Sequence, residues 1–112
     1  MTMRIRFDGI DQLKEALNPE ATLEKVRRIV KTNGAELQAQ AIRNAPYKTG
    51  NLMRSIGLQI KNGGKTAEVE AQAEYAPYLE YGTRFMEAQP YMKPAFNKQK
   101  VKFENDLANL DK

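Results

Sequence analysis

The sequence predicts an α+β fold, in which a long helix packs on a small, mainly antiparallel sheet and a C-terminal helix completes one domain of residues 1–112. Two patterns carry this prediction. The stretch from Pro19 to Asn44 has helical periodicity, and two later stretches with strand periodicity flank the turn sequence Asn-Gly-Gly. A chain of 112 residues with 41% hydrophobic residues is long enough to bury one modest core.

The first elements are predicted to be short. Apolar and polar residues alternate over residues 3–8, which is the period of a half-buried strand. Gly9 then interrupts the pattern. The segment 10–17, IDQLKEAL, places its isoleucine and leucines on one face and is typical of a short helix.

The long helix has recognisable ends. Asn18 suits the N-cap position, Pro19 suits the first helical position, and Pro46 ends the pattern after Asn44. A helix of this length would be about 39 Å long. Gly34 in its middle indicates either a weak point or a close approach to another backbone. The predicted apolar face consists of Leu23, Val26, Val30, Leu37 and Ala41, with Ile29 and Ile42 beside it.

A β-hairpin is predicted after this helix. The sequence Thr49-Gly50-Asn51 is typical of a turn, after which Leu52 returns the chain to the core. Apolar residues then alternate with polar ones over 56–61 and 67–73, around the turn Asn62-Gly63-Gly64. One face of this hairpin is predicted to be buried and the other solvated.

The last predicted element is a helix that begins near Pro90 or Pro94. Its apolar residues recur at spacings of seven, four and three, which gives a narrow buried stripe of Phe96, Phe103, Leu107 and Leu110.

The composition argues against an enzyme. The chain has no histidine and no cysteine, so it lacks the commonest general base, a thiol nucleophile and the preferred zinc ligands. Ser55 stands at a predicted strand start without a histidine to activate it. Glu68 and Glu70 lie on the same face of a predicted strand. Alternation on a solvated face explains these two carboxylates better than a metal site does. Gly63-Gly64 lacks the pattern of a phosphate-binding loop. We therefore expect no catalytic residues, no cofactor and no metal.

Charge and hydropathy limit the class of partner. No apolar run approaches the roughly 18 residues of a membrane span, and the start MTMRIRFDGI lacks the apolar segment of a signal peptide. The net charge of +4 supports at most weak, salt-sensitive attraction to DNA or to an acidic protein. A solvated helix face is the simpler interpretation of the basic clusters, which are Lys25, Arg27, Arg28 and Lys31, and Lys98, Lys100 and Lys102.

Residues 74–96, EYAPYLEYGTRFMEAQPYMKPAF, concentrate aromatic residues between prolines and a glycine. One interpretation is that Tyr75, Tyr78, Tyr81 and Phe85 complete the core, with Pro77 opening a single helical turn that Gly82 closes. The other is a binding surface, because tyrosine, arginine and methionine on a stiffened loop are typical of interface hot spots. We favour the second interpretation and keep Tyr75 as a core residue. The interface candidates are Tyr78, Tyr81, Arg84, Phe85, Met86 and Tyr91.

A series of short motifs in this order resembles a family of small neck proteins of long-tailed phages and prophages, the head–tail joining or tail-completion minor structural proteins. The resemblance extends from the long helix to the C-terminal helix. The motifs are Thr49-Gly50 with Leu52 and Ser55-Ile56, then Tyr75-Ala76 with Tyr78, then Glu80-Tyr81-Gly82-Thr83, and finally Gln89-Pro90-Tyr91 with Pro94-Ala95.

The resemblance implies a non-enzymatic virion protein at the head–tail junction, synthesised in the host cytoplasm. It implies either a subunit of a ring, hexameric or dodecameric, or a ring-associated subunit. The implied partners are connector or head-closure proteins and tail-terminator or tail-tube proteins. No membrane contact is implied, and a weak, non-specific contact with DNA is compatible with the charge. It does not fix the subunit number or the immediate neighbours.

Two other classes stay open. A small basic nucleic-acid-binding module would use Lys25, Arg27, Arg28 and Lys31 on phosphates, although no helix-turn-helix signature is visible. An inhibitor of a host enzyme would leave no trace in the composition.

Overall fold

In the described part of the chain, three strands form one antiparallel sheet, and two long helices pack with it. The computed structural model describes residues 3–9, 19–45, 50–73, 76–84 and 87–109. This is the α+β architecture that the sequence predicts. The elements in chain order are β1 (Met3–Asp8), α1 (Pro19–Asn44), α2 (Asn51–Ser55), β2 (Ile56–Lys61), β3 (Thr66–Ala71), α3 (Ala76–Tyr81) and α4 (Met92–Ala108).

The predicted first strand and the predicted hairpin are both confirmed. β3 is the central strand and pairs with β1 on one side and with β2 on the other. The hairpin turn is one turn of 3₁₀-helix, Asn62–Gly64, in which Gly63 has a φ of 67°. Glycine is suited to this left-handed conformation because it has no Cβ.

α1 has the predicted bounds and the predicted buried face. Four apolar residues of that face are fully buried (Val26, Val30, Leu37 and Ala41), while Leu23, Ile29 and Ile42 are half-buried. Gly34 lies where the helix meets the sheet. A Cβ at this position would come 2.8 Å from the Cβ of Ala67 and 3.0 Å from Cδ1 of Leu58. Gly34 therefore marks a close approach, and its neighbours are side chains of the sheet.

α4 packs against both α1 and β1. It begins at Met92, between the two prolines near which the sequence places its start. The ring of Phe7 on β1 stacks on Phe103 at 4.5 Å and on Phe96 at 5.6 Å between ring centroids. Phe103 is buried, whereas Leu107 is half-buried. Leu110 lies outside the described residues.

The contact between α1 and α4 also contains buried amides. Asn33 is fully buried, and its Oδ1 accepts a 2.5 Å hydrogen bond from Nε2 of Gln99. The Nδ2 of Asn33 donates to the carbonyl of Ile29 at 2.9 Å and to Oδ2 of Asp106 at 3.0 Å. Because a buried amide without partners is costly, these bonds fix how the two helices align.

The segment around Gly50 differs in part from the prediction. Gly50 has a φ of 78°, as a turn requires, but a short helix, Asn51–Ser55, follows at once. Leu52 in that helix is only 2% exposed, so its predicted return to the core is confirmed. Ser55 ends the helix, where its Oγ donates to the carbonyl of Leu52. The predicted helix 10–17 and Tyr75 lie outside the described residues.

The prediction of one solvated hairpin face is wrong for Glu68, which is only 4% exposed. Glu68 lies on the central strand, where Arg6 and Gln59 are its cross-strand partners. Nζ of Lys61 lies 3.0 Å from Oε1 of Glu68. Alternation predicts which face a residue occupies, but a central strand also has neighbours on both sides that cover its polar residues.

Candidate interaction surface

α3 is a single helical segment with the predicted ends. Pro77 lies in its first turn, where a missing N–H costs nothing. Gly82 follows the last helical residue with a φ of 77°, and its N–H donates to the carbonyl of Tyr78 at 2.7 Å. This is the usual glycine-terminated helix end. The predicted turn between Pro77 and Gly82 is confirmed.

The two faces of α3 have opposite character. Ala76, Pro77 and Glu80 are buried. On the other side, Tyr78 is 56% exposed and Tyr81 is 72% exposed. The interpretation that these two tyrosines complete the core is therefore wrong. We call Tyr78 and Tyr81 together the tyrosine surface.

The buried carboxylate of Glu80 holds the start of α4. It accepts hydrogen bonds from the backbone N–H groups of Met92 at 2.8 Å, Lys93 at 3.1 Å and Tyr91 at 3.4 Å. The first amides of a helix have no partner within the helix, and the helix dipole favours negative charge there. We call these three bonds the Glu80 clasp. It fixes the buried side of α3 to α4 and so fixes the orientation of the tyrosine surface.

Tyr91 is a correction to the predicted set of surface residues. Its side chain is fully buried. Its hydroxyl donates to the carbonyl of Ala76 at 3.4 Å, and its own carbonyl accepts a hydrogen bond from Nδ2 of Asn44 at 3.3 Å. A buried tyrosine normally needs such a partner for its hydroxyl. In this fold Tyr91 is part of the core, next to the Glu80 clasp, and is not available to a partner protein.

The other candidates follow Gly82. Arg84 is exposed. Phe85 and Met86 lie outside the described residues. The structure therefore places three of the sequence-predicted interface residues at the surface: Tyr78 and Tyr81 on α3, and Arg84 shortly after it.

The Glu80 clasp was not predicted, although the sequence contains a signal for it. The residue at the N-cap position of α4 is Tyr91, which makes no side-chain capping bond. A helix start without Ser, Thr, Asp or Asn at that position leaves amides that need a distant acceptor. The sequence therefore indicates that the first amides of α4 lack a local acceptor, but it does not indicate which distant residue accepts from them.

Some of the basic residues form contacts within the fold, and others are exposed. Nε of Arg27 donates to the carbonyl of Gly63 at 2.7 Å, so Arg27 ties α1 to the hairpin turn. Nζ of Lys102 lies 2.9 Å from Oε2 of Glu36. The hydrogen bond from Lys102, followed by the one from Gln99, lowers the pKa of Glu36, and the hydrogen bond to Glu36 raises the pKa of Lys102. Lys25, Arg28 and Lys31 are exposed on α1.

The described residues also bear on metal binding and on membrane insertion. Within this part of the chain, no group of three or more acidic side chains is placed to hold a metal ion. None of the described helices is both long and apolar enough to cross a membrane.

One family model matches the chain. It is described as "Bacteriophage HK97-gp10, putative tail-component", and it matches residues 8–82. The chain belongs to this HK97-gp10-like family. The matched range includes α1, the hairpin and α3, and it ends at Gly82. No curated protein and no solved structure matches the chain. The predicted relationship to a phage structural family is thereby confirmed, and this phage tail-component family indicates a structural phage protein.

Proposed function

We propose that this protein is a non-enzymatic subunit of the head–tail junction of a long-tailed phage, either a neck protein or a tail-completion protein, and that it joins capsid and tail through protein–protein contacts. Its membership of the phage tail-component family supports this proposal. So does a surface of exposed aromatic residues on a rigidly held helix.

The tyrosine surface is the observation that carries the proposal. Tyr78 and Tyr81 are 56% and 72% exposed, while Glu80 between them is buried and bound to the start of α4. A surface that is already ordered loses little conformational entropy when it docks. Tyrosines are also enriched among the residues that dominate binding energy.

Assembly into a closed ring, hexameric or dodecameric, is part of the proposal. Identical subunits with head-to-tail contacts form rings when the rotation closes. The remaining partners are connector or head-closure proteins on the capsid side and tail-terminator or tail-tube proteins on the tail side. Self-association depends either on concentration or on a template, such as a preformed ring that the subunits meet.

Deletion of the gene from the phage or prophage, followed by complementation, tests the role. Electron microscopy should show filled heads without attached tails after deletion and joined particles after complementation. Mass spectrometry should detect the protein in purified particles. Normal particles after deletion, or absence of the protein from purified virions, would contradict the proposal.

Native mass spectrometry tests the ring, with the protein alone and with capsids that carry the upstream connector. A two-fold dimer that binds nothing in the virion would count against ring assembly. A filter-binding assay of DNA affinity at several salt concentrations distinguishes a junction subunit from the alternative, a nucleic-acid-binding module. A junction subunit should bind DNA weakly and without sequence preference.

A further inference from the structure

A polar groove runs between α1 and α4 beside the buried amides. Its volume is about 260 Å³, and it is lined by Glu36, Gln40, Arg43, Lys98, Gln99 and Lys102. Three of these side chains are cationic, two are amides and one is a carboxylate. The groove therefore combines positive charge with hydrogen-bonding groups in a recess.

The single carboxylate in the groove is already occupied. Glu36 accepts hydrogen bonds from Lys102 at 2.9 Å and from Gln99 at 2.8 Å. The hydrogen bond from Lys102 contributes most to lowering the pKa of Glu36, so this carboxylate stays ionised and stays paired near neutral pH. Lys102 is consequently neutralised by its neighbour and does not contribute net charge to the groove.

Arg43 and Lys98 supply the remaining positive charge. Nη2 of Arg43 donates to Oε1 of Gln40 at 3.0 Å, and within the described ranges neither cation forms an ion pair with a carboxylate. Two cations held at the rim of a recess that also contains amides are suited to bind anionic groups of matching size.

We propose that this groove binds acidic side chains from a segment of a partner protein. Arg43 and Lys98 would pair with the carboxylates. The side-chain N–H groups of Gln99 already donate to Asn33 and Glu36, so the amides line the groove and the two cations supply the attraction. Arg43 and Lys98 are exposed at the rim of the groove and are therefore accessible to a segment of another chain.

Charge argues that the partner is a different protein. The chain has 18 basic and 14 acidic residues, so a second copy carries the same net charge of +4. Complementary potentials favour association, and like charges oppose it. A partner surface with excess aspartate and glutamate fits the groove better than another copy of this chain.

A short series of contacts connects the groove to the buried side of α3. Asn44, the neighbour of Arg43, donates to the carbonyl of Tyr91 at 3.3 Å. The N–H of Tyr91 in turn donates to Glu80, which lies between the two exposed tyrosines. The exposed tyrosines lie on the other face of α3, so acid binding by the groove does not depend on their proposed docking role.

An NMR titration of the ¹⁵N-labelled full chain with a hexaglutamate peptide at about 0.15 M salt, where the Debye length is about 8 Å, tests the groove. We expect saturable shifts of the side-chain amide signals of Gln40 and Gln99. The variant Lys98→Glu should weaken binding about tenfold or more, because it places a like charge against the peptide. The matched control is Lys100→Glu, an exposed lysine of the same helix outside the groove, which should change affinity less than about twofold.

Two results would overturn the inference. One is the absence of saturable shifts at Gln40 and Gln99. The other is equal weakening by Lys98→Glu and Lys100→Glu, particularly if a short DNA duplex binds more tightly than the peptide, which would indicate diffuse attraction of polyanions. This titration does not measure particle assembly, so it tests the groove independently of the proposed function. If the protein binds the peptide but is absent from virions, acid binding by the groove is supported and only the head–tail role is contradicted.

Discussion

The carboxylate of Glu80 accepts a 2.8 Å hydrogen bond from the backbone N–H of Met92, twelve residues further along the chain. With two further amide bonds, it caps a helix that has no cap of its own. Glu80→Ala leaves these amides without an acceptor and should lower the free energy of unfolding by about 1–3 kcal/mol. Thermal melting followed by circular dichroism would measure this as a drop of several degrees.

The control for Glu80 is Glu87→Ala, which removes an exposed carboxylate from the following segment. Such surface changes usually alter stability by less than about 0.5 kcal/mol. Equal melting temperatures for the two variants would show that the clasp does not stabilise the fold.

The tyrosine surface should be separable from folding. Tyr78→Ala and Tyr81→Ala remove exposed rings and should change stability by less than about 0.5 kcal/mol, while loss of an interface anchor weakens association by about 2 kcal/mol or more. Both variants should melt like the wild type and fail to restore infectious particles in complementation. Tyr91→Ala, which removes a fully buried ring, should instead melt far below the wild type. Full complementation by the double variant Tyr78→Ala/Tyr81→Ala would exclude the tyrosines from the interface.

Gly34 should not tolerate even a methyl group. Gly34→Ala raises helix propensity by about 1 kcal/mol. Its Cβ, however, would lie 2.8 Å from the Cβ of Ala67. Because overpacking costs about 1–3 kcal/mol, we expect a net loss of stability in urea unfolding. Gly57→Ala is the matched control, since a Cβ there meets nothing within 4 Å. A Gly34→Ala variant more stable than the wild type would show that the helix can move away from the sheet.

The apolar face of α1 is tested by Val30→Asp. Val30 is fully buried, so an aspartate there would be charged without a partner in the core, and the domain should unfold. Thr32→Asp introduces the same charge at an exposed position two residues away and should leave cooperative melting intact. A soluble Val30→Asp variant that melts cooperatively would refute the position of this helix on the sheet.

The pair Glu36–Lys102 predicts a pH dependence. The pKa of Glu36 is lowered from its ordinary value of 4.5, first by Lys102 and then by Gln99. Its contribution to stability is therefore present above the unfolded-state pKa and is lost as the pH falls through the lower folded-state pKa. The pKa of Lys102 is raised above 10.5, first by Glu36, so its contribution is present below 10.5 and is lost as the pH rises through the raised value.

Urea unfolding of the wild type and of Glu36→Gln between pH 3 and pH 7 measures the acid side. The difference in the free energy of unfolding should be constant at the upper end of this range and should shrink on acidification. In the background of Lys102→Met, most of that pH dependence should disappear, because Lys102 is the first cause of the lowered pKa of Glu36. An unchanged pH dependence in that background would show that the ion pair is not its source.

The secondary structure was largely predictable because it depends on local pattern. Pro19 is the first residue of α1, as its position in the sequence predicts, and Asn62-Gly63-Gly64 marks the hairpin turn. The predicted N-cap, Asn18, lies outside the described residues. The short helix after Gly50 was not predicted, because its five residues are too few to show a period.

The candidate site was predictable only in part. Pro77 and Gly82 fix the length of α3, but the spacing of three between Tyr78 and Tyr81 is equally compatible with a buried and an exposed face. The outcome depends on Glu80, whose carboxylate takes the inward position because α4 needs an acceptor. The burial of Tyr91 depends on the same contact. Such long-range partners leave no periodic signal in the sequence.

The stacking of Phe7 on Phe103 joins the first strand to the last helix, and β1 pairs with β3 across more than half of the chain. During synthesis, β1 therefore leaves the ribosome long before either partner exists. Proteins dominated by such distant contacts fold slowly, and an unpaired strand is prone to aggregate in the meantime. We therefore expect the yield of folded protein to depend on temperature and on chaperones during synthesis.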